Sequence, residues 1–207
     1  ITEWGVNGPF EAKTTSWGAK IEPPNGIKAD IRLRRYTNLI KTDNKRCLGS
    51  YCFLWGQKQE STSTWHGMYL SNGNPTEAID VMHYCWKGIW PKERAPSIKN
   101  ISINGINWRN DHILKMDSLA TLNFEFDNFN EQKVFINYKL YPETFSNKMG
   151  GDFQKSPNEI PIEIVKNNDL NKITFKMPNK KGAYRIFTFI NNENGQSSVA
   201  NIPFLVE

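Results

Sequence analysis

Cysteine and histidine are scarce, with three of each in 207 residues. Cys47, Cys52 and Cys85 match neither a paired CxxC zinc pattern nor a dense disulfide framework. Cys47 and Cys52 occupy odd and even positions of one apolar run. A regular strand would point them to opposite faces, so free thiols are expected. His66, His83 and His112 lack metal-ligand spacing, and neither a metal nor another cofactor is expected. No run approaches the ~18–20 apolar residues of a membrane span. Internal repeats and low-complexity tracts are also lacking. The chain opens Ile1-Thr2-Glu3 with neither Met nor a leader-like stretch, so a preceding segment is expected to have been removed or left out.

What is present is a foldable composition: 38% hydrophobic, 13% aromatic and 23% charged residues, which excludes wholesale disorder. The net charge of +5, from 26 basic against 21 acidic residues, is spread along both halves. Its densest knot, Arg32, Arg34 and Arg35 beside Asp30, reads as a solvated helix face, so no nucleic-acid partner is expected.

Composition changes near residue 95. Six of the seven Trp precede it, and Pro91, Pro96 and the charged Lys92-Glu93-Arg94 between them mark an interdomain joint. Two units are therefore expected, 1–95 and 96–207. In the first, Ala29, Leu33, Tyr36 and Ile40 recur at helical spacing after the breaker Pro23-Pro24-Asn25-Gly26, predicting a helix over 27–40. The run CLGSYCFLW at 47–55 reads as a strand covered on both faces, as in parallel sheets. Asn74, Pro75 and Glu77 announce a second helix with the stripe Ala78, Val81, Met82, Cys85, Trp86 and a stop at Gly88. This is α/β grammar.

The second unit predicts strands over 97–103, 119–127, 134–141, 160–165, 171–176, 183–191 and 198–206. Asn-Gly, Gly-Gly and Lys-Gly turns, Gly150-Gly151 among them, separate these runs. About seven short strands in ~110 residues suit an immunoglobulin-like sandwich.

Two constellations could carry chemistry. Thr2-Glu3-Trp4-Gly5 places a carboxylate at the end of a short β-type run beside an indole, an arrangement suited to a sugar's anomeric carbon. The segment Trp55–Met68 gathers Trp55, Gln57, Gln59, Glu60, Trp65 and His66 into an aromatic and amide-rich loop like a sugar-binding rim. Trp65 reads equally well as core. Glu22 and Glu60 read as sugar contacts or surface charges, and Asp80 and Asp127 as structural. His83 is expected to pack or face solvent, and His112 to sit in a loop of the sandwich.

The stretches TEWG at 2–5, WGAKIEP at 17–23, CLGSYCFLWGQKQE at 47–60, TWHGMYL at 64–70, TEAIDVMHYCWKG at 76–88 and WPKERAP at 90–96 resemble the end of the catalytic barrel in bacterial family 2 TIM-barrel-like glycoside hydrolases of the retaining superfamily. The tail ending NIPFLV is similar to their C-terminal Ig- or PKD-like module. The resemblance implies the last part of a (β/α)8 barrel (strand seven, helix seven, strand eight, helix eight) followed by an immunoglobulin-like β-sandwich. It also implies Glu3 as nucleophile, with Trp4, Asn7, Trp17, Trp55, Gln57, Gln59, Trp65 and His66 as substrate contacts. A retaining mechanism needs a second carboxylate about 5 Å away on strand four. That strand is not in this chain, so the chain alone is expected to be inactive. The partners implied are an oligo- or polysaccharide, and the rest of the barrel or an oligomeric partner covering its edge. The location implied is extracytoplasmic: periplasmic, cell-surface or secreted. A non-catalytic glycan-binding or structural β-sandwich module is the competing expectation.

Overall fold

The computed structural model describes residues 1–43, 45–127, 133–145 and 152–207, leaving the Gly150-Gly151 turn outside the described residues. The regular elements are α1 (Asn25–Arg35), α2 (Glu77–Lys87) and nine strands. These are β1 (Ser97–Ile103), β2 (Ile106–Asn107), β3 (Ile113–Leu114), β4 (Leu119–Asp127), β5 (Val134–Pro142), β6 (Glu163–Asp169), β7 (Lys172–Lys176), β8 (Gly182–Asn192) and β9 (Ser197–Val206).

The strands form two sheets, ordered β2-β1-β4-β7-β6 and β3-β9-β8-β5. Their neighbours are antiparallel except for the short parallel pair β3–β9. In β4 the period of two sends Ala120, Leu122 and Phe124 inward to meet Ile98, Ile101 and Ile103 of β1. Ile186 and Ile190 of β8 and Ile202 and Phe204 of β9 close this core from the other sheet. β9 behaves differently, because all but one of its residues are buried, so both its faces are covered. The second cover is residues 1–96. Leu70 packs on Phe187 and Val199, and Ser197 N–H donates to the Pro75 carbonyl at 2.9 Å.

The barrel portion implied by the resemblance is absent among the described residues. Among the described residues of 1–96 no ladder strand forms; Trp4 and Cys52 make one isolated parallel bridge, with Trp4 N–H donating to Tyr51 O at 3.1 Å and Phe53 N–H to Trp4 O at 2.7 Å. The 47–55 run is not doubly covered either, since Leu48 is fully exposed and Tyr51 is 75% exposed. A buried parallel strand needs neighbours on both edges, and this run has one. The fold is thus an all-β sandwich carrying a largely irregular, two-helix segment that covers β9 of one sheet and, through α1, packs on β1 of the other.

The helices differ from expectation at their ends. α1 begins at Asn25 and passes into a π-helical turn over Tyr36–Ile40. α2 starts two residues after the expected Pro75 with Thr76 at the N-cap position, whose hydroxyl donates to the Met68 carbonyl and accepts no hydrogen bond from the helix. Its end is as the sequence predicts, with Gly88 at φ +75 in the left-handed region.

The segment is welded to the sandwich by buried charge. Glu22 accepts from Lys28, Thr62, Thr64 and, across the junction, Asn201 of β9 at 2.7 Å. Arg185 of β8 pairs with Glu143 at 2.8 Å and donates to the Lys20 carbonyl at 2.6 Å. Glu22 is therefore neither a sugar contact nor a surface charge. Nor is the arginine knot simply a solvated face, because Arg32 is buried and donates to the His66 carbonyl at 2.8 Å.

Candidate functional site

An open cleft of 560 Å³ lies between residues 3–11 and the 53–66 loop. Its first wall is set by the short parallel pairing, which holds Trp4 beside Cys52 and leaves Glu3 exposed at the rim. The Trp4 ring meets Tyr36 at 6.0 Å, and Arg35 steadies the same segment by donating to Gly5 O at 2.6 Å and to the Asn7 side-chain oxygen. The cis Phe53–Leu54 peptide lies in the opposite wall.

That wall carries the charge. Glu60 is buried, 2.8 Å from Lys58 Nζ and 3.8 Å from His66 Nε2. His66 is buried too, edge-on to Phe53 with ring centroids 5.2 Å apart. Burial pulls its imidazole below the ordinary histidine range; Glu60 opposes this, while Lys28 and Arg32 add to it. His66 is therefore neutral at pH 7, able to donate one hydrogen bond and accept another. A carboxylate with a cation beside it, a neutral imidazole and an indole in one open cleft can accept from hydroxyls and stack on an apolar ring face. Among the described residues no cluster of three or more His, Cys, Asp or Glu could hold a metal ion.

The expected contact residues do not share this cleft. Glu3, Trp4 and His66 do, joined by Glu60, which the sequence places on the same loop. Asn7 and Trp65 line an adjoining cavity of 380 Å³, and Trp65, only 1% exposed, donates its indole N–H to the Asn7 carbonyl at 2.9 Å. Gln57 and Gln59 line a third cavity, of 230 Å³, against Tyr141 and Phe187 of the sandwich. There they are tied to their own loop: Gln57 donates to Ser63 O and Gln59 to Ser61 O, each at 3.2 Å. Trp55 stacks on Trp86 of α2 at 5.5 Å, on the surface. Trp17 is half-buried and lines none of the three cavities. Phe10, Glu11, Arg35 and Lys58 are among the cleft residues that sequence reasoning missed. Lys58 carried a signal, since it sits two residues before Glu60 in a β-like stretch and so on the same face.

Other expectations resolve simply. The three cysteines are free, with Cys52 buried and the other two half-buried. Asp80 is structural, accepting the Ala95 N–H at 2.8 Å. His83 Nδ1 lies 3.0 Å from the Ile89 carbonyl, and His112 is buried in the sandwich.

No protein-family model and no curated protein matches the chain. Solved structures similar to it include the methionine-rich copper resistance protein PcoC from Escherichia coli, with 14% identity, a TM-score of 0.32, and 55% of this chain and 99% of that one covered. The soluble domain of PmoD from Methylocystis sp. strain Rockwell matches at 11% identity and a TM-score of 0.30, over 57% of this chain and 95% of its own. Titin M4 matches at 13% identity and 0.27, over 56% and 98%. Among the described residues the structure contains no barrel. The resemblance to retaining glycoside hydrolases is thereby corrected, and with it the hydrolytic activity and the nucleophile role that it implied for Glu3.

Proposed function

We propose that the chain binds an oligo- or polysaccharide in the cleft between Trp4 and the 53–66 loop. The observation that supports this best is the pairing of Trp4 and Phe10 with Glu3, Glu60 and His66 in one open depression. Sugars present apolar C–H faces and vicinal hydroxyls together. An aromatic surface takes the first, and carboxylates or a neutral imidazole take the second. Glu60 is held in place by Lys58, so its carboxylate is oriented before any ligand arrives.

The test is calorimetric titration of the whole chain with soluble oligosaccharides, alongside Trp4→Ala. Saturable binding that Trp4→Ala weakens about tenfold or more supports the reading. Binding unaffected by Trp4→Ala, or none across neutral and acidic oligosaccharides, refutes it. A polysaccharide partner goes with work outside the cytoplasm, and an extracytoplasmic location is part of the proposal; cell fractionation checks it. No helix among the described residues is long and apolar enough to cross a membrane.

A polypeptide partner is a second reading, favoured by the stacked Trp55 and Trp86, which are 45% and 59% exposed. Burial of those rings in an assembly would blue-shift tryptophan emission with rising protein concentration. A concentration-independent spectrum and a monomeric sedimentation coefficient count against a self-partner.

A further inference from the structure

The cleft has a neighbour at Arg35. Val6, Glu11 and Arg35 line both it and the adjoining 380 Å³ cavity, so these side chains form the border between the two. The chemistry changes across that border. The cleft holds three carboxylates, Glu3, Glu11 and Glu60, whereas Lys13, Arg34, Arg35 and Arg109 surround the cavity with Glu11 as its one acid. Glu11 is engaged there, accepting the Gly8 N–H at 3.0 Å. Lys13, Arg34 and Arg109 have no carboxylate partner among the described residues.

Trp108, 5% exposed, also lines the cavity. The Arg109 guanidinium carbon lies 4.2 Å from the centroid of the Trp108 indole, a cation–π contact. Arg34 and Arg109, exposed and with no carboxylate partner among the described residues, form a donor set for a planar or tetrahedral oxyanion.

We infer that the saccharide is acidic, with a carboxylate or sulfate substituent that occupies the cavity among Arg34, Arg109 and Trp108 while a neighbouring ring lies in the Trp4 cleft. This rests on the saccharide reading of the cleft and adds the class of sugar. The two carboxyl-rich and guanidinium-rich ends give the groove a polarity, so a ligand with one acidic unit would bind in one direction.

The test titrates the whole chain with trigalacturonate, a chondroitin sulfate tetrasaccharide and neutral maltotriose, and repeats the series in the R34Q/R109Q double variant and in Trp4→Ala. Expected are at least about tenfold tighter binding of one acidic oligosaccharide than of maltotriose, and loss of that preference in R34Q/R109Q with its melting temperature retained. Comparing the chondroitin sulfate tetrasaccharide with its desulfated form, which keeps the uronate carboxylates, identifies the substituent. Equal affinity for acidic and neutral sugars, or a preference that survives R34Q/R109Q, overturns the inference while leaving the cleft reading intact. Sodium sulfate that displaces the acidic sugar completely at equal concentration also overturns it, since the cavity would then be an anion site indifferent to sugar. If no oligosaccharide binds, the cleft reading and the inference fall together.

Discussion

Lys28 Nζ lies 2.6 Å from Glu22 Oε1 with both side chains essentially removed from solvent. Burial pushes the Glu22 carboxyl up, but Lys28, the Thr62 hydroxyl and Arg185 overcome it and hold it below the ordinary carboxylate range. The same Lys28 ammonium donates to the Thr64 carbonyl at 2.6 Å, just ahead of Trp65 and His66. One ion pair therefore fastens α1, the cleft loop and, through Asn201, the sandwich.

Removing the cation should be expensive. Lys28→Met leaves Glu22 charged and buried with only hydroxyl and amide partners, an imbalance worth roughly 3–5 kcal/mol. Urea unfolding should show that loss, and the E22Q/K28M double variant should recover a substantial part of it. A single variant as stable as the parent would mean that Glu22 is neutral in the folded state.

Gly26 tests how closely α1 approaches β1. A Cβ there would lie 2.5 Å from Ser97 Oγ, 2.7 Å from Lys99 Cγ and 2.8 Å from the Ile98 carbonyl oxygen. Alanine gains up to about 1 kcal/mol of helix propensity, but overpacking against a fixed backbone costs about 1–3 kcal/mol. Gly26→Ala is expected to destabilise by about 1–2 kcal/mol net and lower the thermal midpoint. A stabilised variant would show that helix and strand can separate freely.

Burial pushes the Glu77 carboxyl up to about 7, against the pull of Ser97 and Arg94. Asp80 is likewise raised, to about 6. The unfolded chain releases these protons near pH 4 to 4.5, while the folded protein keeps them until about pH 6 to 7. Between those limits the folded state binds more protons, so this contribution to stability is present at low pH and lost as pH rises. Glu77→Gln removes one titration. From about pH 5 to about pH 8, its stability relative to the parent should rise by roughly 2–3 kcal/mol. A flat difference profile would show that Arg94 keeps Glu77 ionised throughout.

How much of this was legible in the sequence depends on range. Alternation in 119–127 and 183–191 locates β4 and β8 because each strand has an inner face that the period of two must fill. Gly88 locates the end of α2 because only a left-handed residue closes the helix there. The 47–55 run misleads, because apolar continuity reports hydrophobicity and not the number of neighbouring strands. Leu48 and Tyr51 are exposed despite it. Glu22 misleads in the opposite way: its acceptor network joins residues 6 to 179 positions apart, and no local pattern announces Asn201. In the cleft, Glu3, Trp4 and His66 come together, whereas Gln57 and Gln59 turn toward the sandwich. Residue type led to the expectation of a sugar contact at each position but carried no information on which cavity it would face.

His66 gives the most direct reading of the cleft's electrostatics. Burial depresses its imidazole and Glu60, 3.8 Å from Nε2, partly offsets that. Proton NMR should show a midpoint below that of a free histidine, and Glu60→Gln should lower it further by removing the opposing charge. The linkage follows in sign. Between the folded midpoint and about pH 6.5 the unfolded chain binds the extra proton, so the stability held at neutral pH is lost as pH falls through that window. Glu60→Gln should deepen the loss and widen the window on its acid side. If the His66 midpoint rises in Glu60→Gln, the carboxylate does not face the ring, and the preorganised acceptor attributed to the cleft is lost with it.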